Sequence, residues 1–249
     1  MNYNFSKTQH QKICSLRVNS HSNGNLYPHH GHWTIVQIMN INHGGSIDFI
    51  VSESCYSFMM SPQARELGKN DSFFYKFVEI SYRGNMNTII IKNSEGRTIM
   101  LQHDVTSPRL FTRIHTLCDT KVMAHAYQKT KIGNGCDEGW FSDVNFREIK
   151  AAHEITQRVG EEVHRVGGHG GMDAILAWRL IDYHRNGILL IMNVCNAALW
   201  SAIIQIIKYS VINQGVPVSY PDFTSGSWKN NKPGMDMQLE KCGDVRFGG

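Results

Sequence analysis

The sequence predicts an α+β fold in which several antiparallel strands are followed by helices that cover one face of their sheet. The clearest signal is a hairpin, because the β-prone runs 87–92 and 97–103 flank the turn Asn93-Ser94-Glu95-Gly96. A separate run, 47–52, also predicts a strand. The second half of the chain has helical periodicity at 173–181 and 197–211.

The remaining elements follow from residue spacing and from boundary residues. In chain order they are an irregular, polar amino end up to Gly24, a helix over 33–39 that stops at Asn42–Gly45, a short helix over 61–67, a strand over 111–117, a charged helix over 145–164 and an irregular tail from Val216. Ser61 and Pro62 predict a helix start as cap and first helical residue, and Gly187 predicts a helix end. Because no linker or internal repeat divides the chain, we expect a single domain over 1–249.

The composition is that of an ordinary globular protein. Of the 249 residues, 41% are hydrophobic and 18% are charged. The net charge of +4 is spread along the chain without a basic tract, so we expect no nucleic-acid partner. The six cysteines include no CxxC pair, which favours free thiols over a cysteine-based zinc site or a disulfide framework. The polar amino end lacks the apolar core of a secretory signal, so a soluble, cytoplasmic protein is the default expectation.

One uncharged segment, 187–207, is long enough to span a membrane as a helix. Polar side chains interrupt it at Asn193, Asn196, Ser201 and Gln205. Amides at bilayer depth are costly, and a strand over 188–194 followed by a buried helix explains the same letters. We therefore expect no membrane span.

The stretch LYPHHGHW, residues 26–33, places three histidines beside a tyrosine and a tryptophan. It is compatible with a metal site, with a sugar or nucleotide site, or with a solvated helix start. Zinc normally takes three or four ligands with defined supporting partners, and neither an HExxH motif nor a nearby carboxylate is present. Sugar recognition fits the residue types best, since it combines aromatic faces with imidazole and arginine donors, here Arg17, Tyr27, His29, His30 and Trp33.

Other motifs give weaker signals. The glycines of 167–171 lack the P-loop lysine and do not follow a strand, so a tight turn between helices is favoured over a phosphate site. No dinucleotide fingerprint and no GxSxG motif occurs in the sequence. His103 and Asp104 follow the hairpin and could form an acid/base pair, although neighbouring strand residues point to opposite faces; ordinary polar residues at a strand end are the alternative.

Several segments together resemble glycoside hydrolase family 109. The segments that carry the resemblance are GNLYPHHG (24–31), MNIN (39–42), GNMNT (84–88), GRTIMLQHDVTSPR (96–109), RIHTLCDTK (113–121), GHGGMD (168–173), NAALWSAI (196–203) and PDFTSGSWKNNKP (221–233). They occur in the family's order and span residues 16–233, which is therefore the expected core of the domain.

The resemblance implies an NAD-dependent glycosidase of the Gfo/Idh/MocA oxidoreductase-like superfamily, best known for α-N-acetylgalactosaminidase activity. In that mechanism NAD transiently oxidises the sugar at C3, the aglycone leaves by elimination, water adds at C1 and the hydride returns. Family members have a Rossmann domain for NAD and a carboxy-terminal α/β domain with an open antiparallel sheet for the sugar. The predicted strands and helices fit the second domain, so the resemblance implies a truncated or divergent member whose Rossmann domain is absent.

The family's Tyr-Pro-Thr-His-Gly signature resembles Tyr27-Pro28-His29-His30-Gly31. By this resemblance His30 is the catalytic histidine, and Tyr27, Pro28 and His29 contact the sugar. Arg17 matches the substrate arginine of the family's Trp-Arg dipeptide. Phe111 stands where the family has a sugar-contacting tyrosine, which removes a hydroxyl and its hydrogen bond.

Other departures from the family affect what the chain can do. Asn193 and Asn196 replace acidic residues, and Asp119 and Val122 replace glycines, which would be strained if the backbone there has positive φ. The implied partners are an N-acetylgalactosaminide substrate and either a separate Rossmann-domain protein that carries NAD or a second copy that associates through the sheet. The alternative is a non-catalytic carbohydrate-binding or oligomerisation module.

Overall fold

A computed structural model of the chain describes residues 9–104, 106–107, 110, 112–126, 129–134, 139–141, 148, 165–187, 190 and 192–231. These residues form two compact units. The first contains the described residues up to Leu110 and from Met192 onward, and the second contains those in between. The expectation of a single domain stays a prediction, and each unit is described by itself.

The described elements confirm an α+β fold. The described α-helices are α1 (Gln9–Ser20), α2 (His29–Ile38), α3 (Met60–Gly68), α4 (Met172–Asn186) and α5 (Val194–Ile212). The described strands are β1 (Ile47–Ser54), β2 (Met86–Asn93), β3 (Thr98–Asp104), β4 (His115–Cys118), β5 (Val122–Ala126), β6 (Lys131–Asn134), β7 (Gly139–Trp140) and β8 (Val218–Ser219). Short 3-10 helices occupy Ser72–Phe77, His169–Gly171 and Ser227–Lys229.

The first unit contains an open antiparallel sheet with strand order β3-β2-β1-β8. Ile50, Ile89 and Ile91 point to its inner face and are fully buried, because alternate residues of a strand face the core. On the outer face Ile90 lies directly opposite Met100, and both are exposed. The predicted hairpin and the predicted strand over 47–52 are both confirmed.

Helix α5 lies against β1 and covers the inner face of the sheet. Ile203 and Ile207 are fully buried, and the backbone amide of Ser52 donates to Ser210 Oγ over 2.9 Å. Among the described helices α5 alone is long and apolar enough to cross a membrane by length and composition. The predicted helix over 197–211 is confirmed, whereas the predicted strand over 188–194 is wrong at its described residues, none of which belongs to a strand.

The start of α5 explains why the chain tolerates Asn193 and Asn196. Asn193 is the extended N-cap of the helix, and its Oδ1 accepts a hydrogen bond from the backbone amide of Asn196 over 3.1 Å. The Asn196 side chain is buried, and its Oδ1 accepts from Asn42 Nδ2 over 2.7 Å. Both roles need an acceptor oxygen, which an amide supplies as a carboxylate does.

Replacing Asn193 with alanine is expected to lower the free energy of unfolding by about 1 kcal/mol, because the first turn of α5 loses its side-chain cap. Asn193→Asp keeps the acceptor and adds a negative charge at the helix N-terminus, so it is expected to stabilise by a few tenths up to about 1 kcal/mol. Urea unfolding at neutral pH measures both changes. Asn70→Ala at an exposed position is the control, and equal losses at the two asparagines would contradict the assignment.

A second core of the first unit lies among α1, α3 and the 3-10 helix Ser72–Phe77. Its buried residues are Leu16, Met60, Ala64, Leu67, Phe74, Phe77 and Val78. The expectation of an irregular amino end is wrong, because α1 buries Leu16 in this cluster. Ser61 does not cap α3, which begins one residue earlier and has no side-chain cap bond.

The second unit contains an antiparallel sheet with strand order β4-β5-β6-β7, together with α4. Of the strand predicted over 111–117, only 115–117 lie in a strand, β4, and the described residues 112–114 do not. Gly168, Gly170 and Gly171 have positive φ and make the predicted tight turn before α4, and Gly187 ends that helix in the left-handed conformation. The helix predicted over 145–164 lies outside the described residues apart from position 148.

The residues that stand in place of two family glycines in the second unit do not have positive φ. These residues are Asp119 and Val122, and neither adopts the left-handed backbone conformation. The backbone amide of Asp119 instead donates to the carbonyl of Val122 over 3.0 Å at the start of β5. The strain that would follow from a left-handed backbone therefore does not arise at these positions.

Candidate functional site

The histidines of LYPHHGHW lie on the first turn of α2, four residues before the helix start that the sequence predicted. Pro28 is the N-cap with φ of −65°, and its carbonyl accepts from the backbone amide of His32 over 2.9 Å. The loop before it is held by Asn25, whose Oδ1 accepts from the backbone amide of Tyr27 over 2.7 Å. Proline fixes the φ that a helix requires, so this turn starts the helix and presents its side chains rigidly.

Tyr27, His29 and His30 form a stack of rings at the helix start. The ring centroids of Tyr27 and His30 are 4.9 Å apart with an interplanar angle of 14°. His29 completes the group at 5.0 Å from Tyr27 and 5.4 Å from His30. Tyr27 is 53% exposed, so the stack offers an accessible aromatic face. Burial, and then the neighbouring His30, lower the pKa of His29, which favours the neutral imidazole.

Helix α2 approaches β3 closely at Gly31. A Cβ at Gly31 would lie 3.2 Å from Leu101 Cδ2, so the absence of a side chain allows this approach. Leu101 lies two residues before His103 on the same face of β3. The contact therefore places the first turn of α2 beside the carboxyl end of β3.

His103 and Asp104 end β3 next to this turn. Burial lowers the pKa of His103, and Arg83 and His30 lower it further, whereas Asp104 acts in the opposite direction. The Asp104 Oδ1 accepts from the backbone amides of Thr106 and Ser107 over 3.1 and 2.9 Å. Asp104 thus holds the turn after the strand, and its negative charge partly offsets the lowering of the His103 pKa.

Arg83 connects this region to α1 and to the loop before Tyr27. Its side chain is 3% exposed. Its Nε donates to Asn19 Oδ1, its Nη1 donates to the Gly24 carbonyl over 3.3 Å, and its backbone amide donates to the Asn19 carbonyl over 2.9 Å. Gly24 has φ of 70°, and a Cβ there would lie 2.6 Å from Ile207 Cγ2, so only glycine fits this bend.

The third histidine and the tryptophan of the stretch are not part of the ring stack. His32 is fully buried, and neither ring nitrogen has a hydrogen-bond partner. Trp33 packs against Trp200 of α5 with ring centroids 5.5 Å apart. Since His32 lies in the interior, the three histidines do not converge on one ion, and no group of three or more potential metal ligands occurs among the described residues.

Two further residues that the sequence predicted for the site are Arg17, which is described, and Phe111, which is not. Arg17 is exposed in the last turn of α1, where its carbonyl accepts from the backbone amide of His21 over 3.2 Å. Its guanidinium makes no hydrogen bond or ion pair with a described residue, which leaves it available to a ligand. Phe111 lies outside the described residues. Arg83 and the burial of His103 were not evident from the sequence, because only the folded chain brings them to the turn.

The described residues do not fit a dinucleotide cofactor. Both described sheets are antiparallel, whereas NAD binds where a parallel strand leads through a glycine-rich turn into a helix. The glycine-rich turn that precedes α4 follows the helical residues Arg165 and Val166. No step that depends on NAD is therefore assigned to these residues.

Comparison with known proteins gives a consistent family match. The family model described as "Glycosyl hydrolase 109, C-terminal domain" matches residues 3–230. Glycosyl hydrolase family 109 protein 2 of Shewanella sp. (strain ANA-3) is 36% identical over 230 residues, which are 90% of this chain and 50% of that protein. The family 109 protein of Shewanella putrefaciens (strain CN-32 / ATCC BAA-453) is 37% identical over 230 residues, 89% of this chain and 50% of its own. The chain thus spans about half the length of the curated relatives it matches.

Proposed function

Because the chain belongs to glycoside hydrolase family 109, we propose that its first unit is the sugar-binding part of a glycosidase acting on α-linked N-acetylgalactosamine. The observation that carries the proposal is the stack of Tyr27, His29 and His30 at the start of α2. An exposed aromatic face stacks on the apolar face of a pyranose, and imidazole nitrogens beside it bind hydroxyl groups.

The proposed roles follow from position and chemistry. His30 is the residue that moves a proton at the sugar, since an imidazole both donates and accepts near neutral pH. Tyr27 and His29 form the contact surface, and Pro28 fixes the turn that carries them. Arg17 and Phe111 are the remaining proposed substrate contacts, by their match to the family's motifs.

NAD belongs to the proposal only as the family's cofactor. When bound, it would supply reversible oxidation of the sugar ring. The described residues provide no cradle for it, so a Rossmann-type unit would have to hold NAD over the sugar. The share of the reaction proposed for this chain is to bind the sugar, orient it and hold a proton at His30.

A non-catalytic carbohydrate-binding or oligomerisation module is the second candidate. One observation favours it: the outer face of the first sheet exposes Ile90 and Met100 side by side, 45% and 69% exposed. Such an apolar pair on an open sheet favours association with another chain, a second copy included. In this case the ring stack would bind sugar without any turnover.

N-acetylgalactosamine is expected to bind the full chain saturably, and His30→Ala or Tyr27→Ala is expected to weaken binding at least about tenfold, since each removes part of the stack. Calorimetry or NMR titration measures the affinity. His184→Ala, at an exposed position of α4, is the control and is expected to bind as the native chain does.

Hydrolysis of p-nitrophenyl α-N-acetylgalactosaminide by the chain, together with a Rossmann-type unit that holds NAD, separates the two candidate functions. Turnover that disappears in His30→Ala supports the enzyme, whereas saturable binding without turnover supports the non-catalytic module. An affinity for the sugar that is unchanged by both substitutions of the stack would rule out this site.

A further inference from the structure

Besides the ring nitrogens of His32, two buried polar atoms near the ring stack lack a hydrogen-bond partner. They are Arg83 Nη2 and His103 Nδ1. An unsatisfied buried donor or acceptor is costly, so native proteins rarely keep one without a reason. Here both atoms lie in the same part of the first unit, beside the residues proposed to bind sugar.

The neighbouring side chain of the sheet has no donor left for His103. Asn87 lies directly opposite His103 in the register of β2 and β3. Its Nδ2 already donates to Ser52 Oγ, the Glu53 carbonyl and Ser54 Oγ, each over 2.9 Å. An amide nitrogen has only two hydrogens, so the donor capacity of Asn87 is exhausted.

Arg83 is fixed firmly while leaving one nitrogen unused. Its Nε and Nη1 are bound to Asn19 and Gly24, which prevents the guanidinium from turning to satisfy Nη2 internally. Its charge also favours a neutral His103, because burial and then Arg83 are the two largest causes that lower the pKa of this histidine. A neutral imidazole can donate from one nitrogen and accept at the other, which matches a hydroxyl group.

We propose that His103 is a further substrate-contacting residue, whose Nδ1 hydrogen bonds a hydroxyl or acetamido oxygen of the sugar, and that Arg83 is the positioning residue that holds it beside the ring stack. The inference rests on the proposed sugar-binding function. It places the inner wall of the site at the end of β3, beside the first turn of α2 that carries His29 and His30. The missing partner of His103 is then supplied by the ligand.

Affinity for N-acetylgalactosamine in three variants of the full chain tests the proposal. His103→Phe fills the space without a polar atom and is expected to bind about tenfold to a hundredfold more weakly. His103→Gln keeps a donor and an acceptor and is expected to remain within about threefold of the native affinity. His184→Gln is the matched control at an exposed histidine.

Nitrogen NMR of the native chain gives a readout that does not depend on how a variant folds. Saturating sugar is expected to shift the His103 Nδ1 resonance of the native chain. A separate measurement uses Arg83→Gln, which is expected to raise the pH at which His103 titrates, because a positive charge is removed. If the native chain binds no sugar, the proposed function fails and this inference with it. If the sugar binds but His103→Phe retains the native affinity or the Nδ1 resonance is unmoved, this inference alone is overturned.

Discussion

Lowering the pH from about 7.5 to about 4.5 is expected to reduce the free energy of unfolding by on the order of 2–3 kcal/mol through His32 alone. His32 is fully buried in α2, and burial, followed by the charge of His29, lowers its pKa from 6.5 to about 3. Neither ring nitrogen has a partner that could compensate a charge. The native state therefore keeps this imidazole neutral where the unfolded chain binds a proton.

The sign follows from the direction of the pKa shift. The folded pKa lies below the unfolded one, so the unfolded state binds more protons between the two values. Above about pH 6.5 this histidine costs no free energy of unfolding, because it is neutral in both states. As the pH falls from 6.5 towards 3, the unfolded state gains a proton that the folded state does not, and the free energy of unfolding decreases progressively. Other titrating groups also change the free energy of unfolding on acidification, so the contribution of His32 is measured by comparing the native chain with a variant that lacks this histidine.

Urea unfolding of the native chain and of His32→Leu at the two pH values makes the measurement. Leucine is apolar and of similar size, and replacing an unpaired buried polar group by an apolar one is close to neutral at high pH. The variant is expected to lose about 2–3 kcal/mol less than the native chain on acidification. His184→Leu, at an exposed position, is expected to behave as the native chain does; equal acid losses in the native chain and His32→Leu would contradict the assignment.

The elements that the sequence predicted well are those whose cause is local. The hairpin of β2 and β3 follows from two β-prone runs around a four-residue turn, and the end of α4 follows from Gly187. Helix α1 could not be predicted in this way, because its sequence is polar and its helical structure depends on packing Leu16 against residues of α3 and beyond. Tertiary contacts decide such a segment, and a local pattern does not contain them.

The same distinction applies to the candidate site. The ring stack comes from three residues within one turn, so its residue types could be read directly. The inner wall of the site could not be predicted, since Arg83 hydrogen bonds Gly24 and Asn19, which are 59 and 64 residues away in the sequence. His103 was evident as a polar strand-end residue, but its burial and its position beside His30 are consequences of how α2 packs on β3.

Replacing Gly84 with alanine is expected to lower the free energy of unfolding by about 3 kcal/mol or more, at the upper end for inserting atoms into a packed interior. A Cβ at Gly84 would lie 1.8 Å from the carbonyl oxygen of Cys55 and 2.9 Å from its carbonyl carbon. Both are backbone atoms, so the clash cannot be relieved by turning a flexible side chain. The cause is lack of space, since Gly84 does not have positive φ.

To relieve this clash, the segment before β2, which contains Gly84, has to move away from the residues that follow β1, which include Cys55. The backbone bonds that join them there are Cys55 amide to Met86 carbonyl, 3.0 Å, and Asn85 amide to Tyr56 carbonyl, 3.4 Å. The preceding residue, Arg83, would move with the segment and loosen its bonds to α1 and to Gly24. Gly84→Ala is therefore expected to weaken binding of N-acetylgalactosamine as well as stability, although residue 84 touches no part of the ring stack.

Thermal unfolding and sugar titration of Gly84→Ala measure the two effects together. A loss of about 3 kcal/mol corresponds to a fall in Tm of roughly 6–12 °C for a chain of this size. Gly45→Ala is the matched control, because a Cβ there has no neighbour closer than 3.6 Å, and it is expected to change stability by less than about 0.5 kcal/mol. If Gly84→Ala melts with the native chain, the close approach of residue 84 to Cys55 is wrong. If it melts lower but binds sugar as tightly, Arg83 does not position the site through this segment.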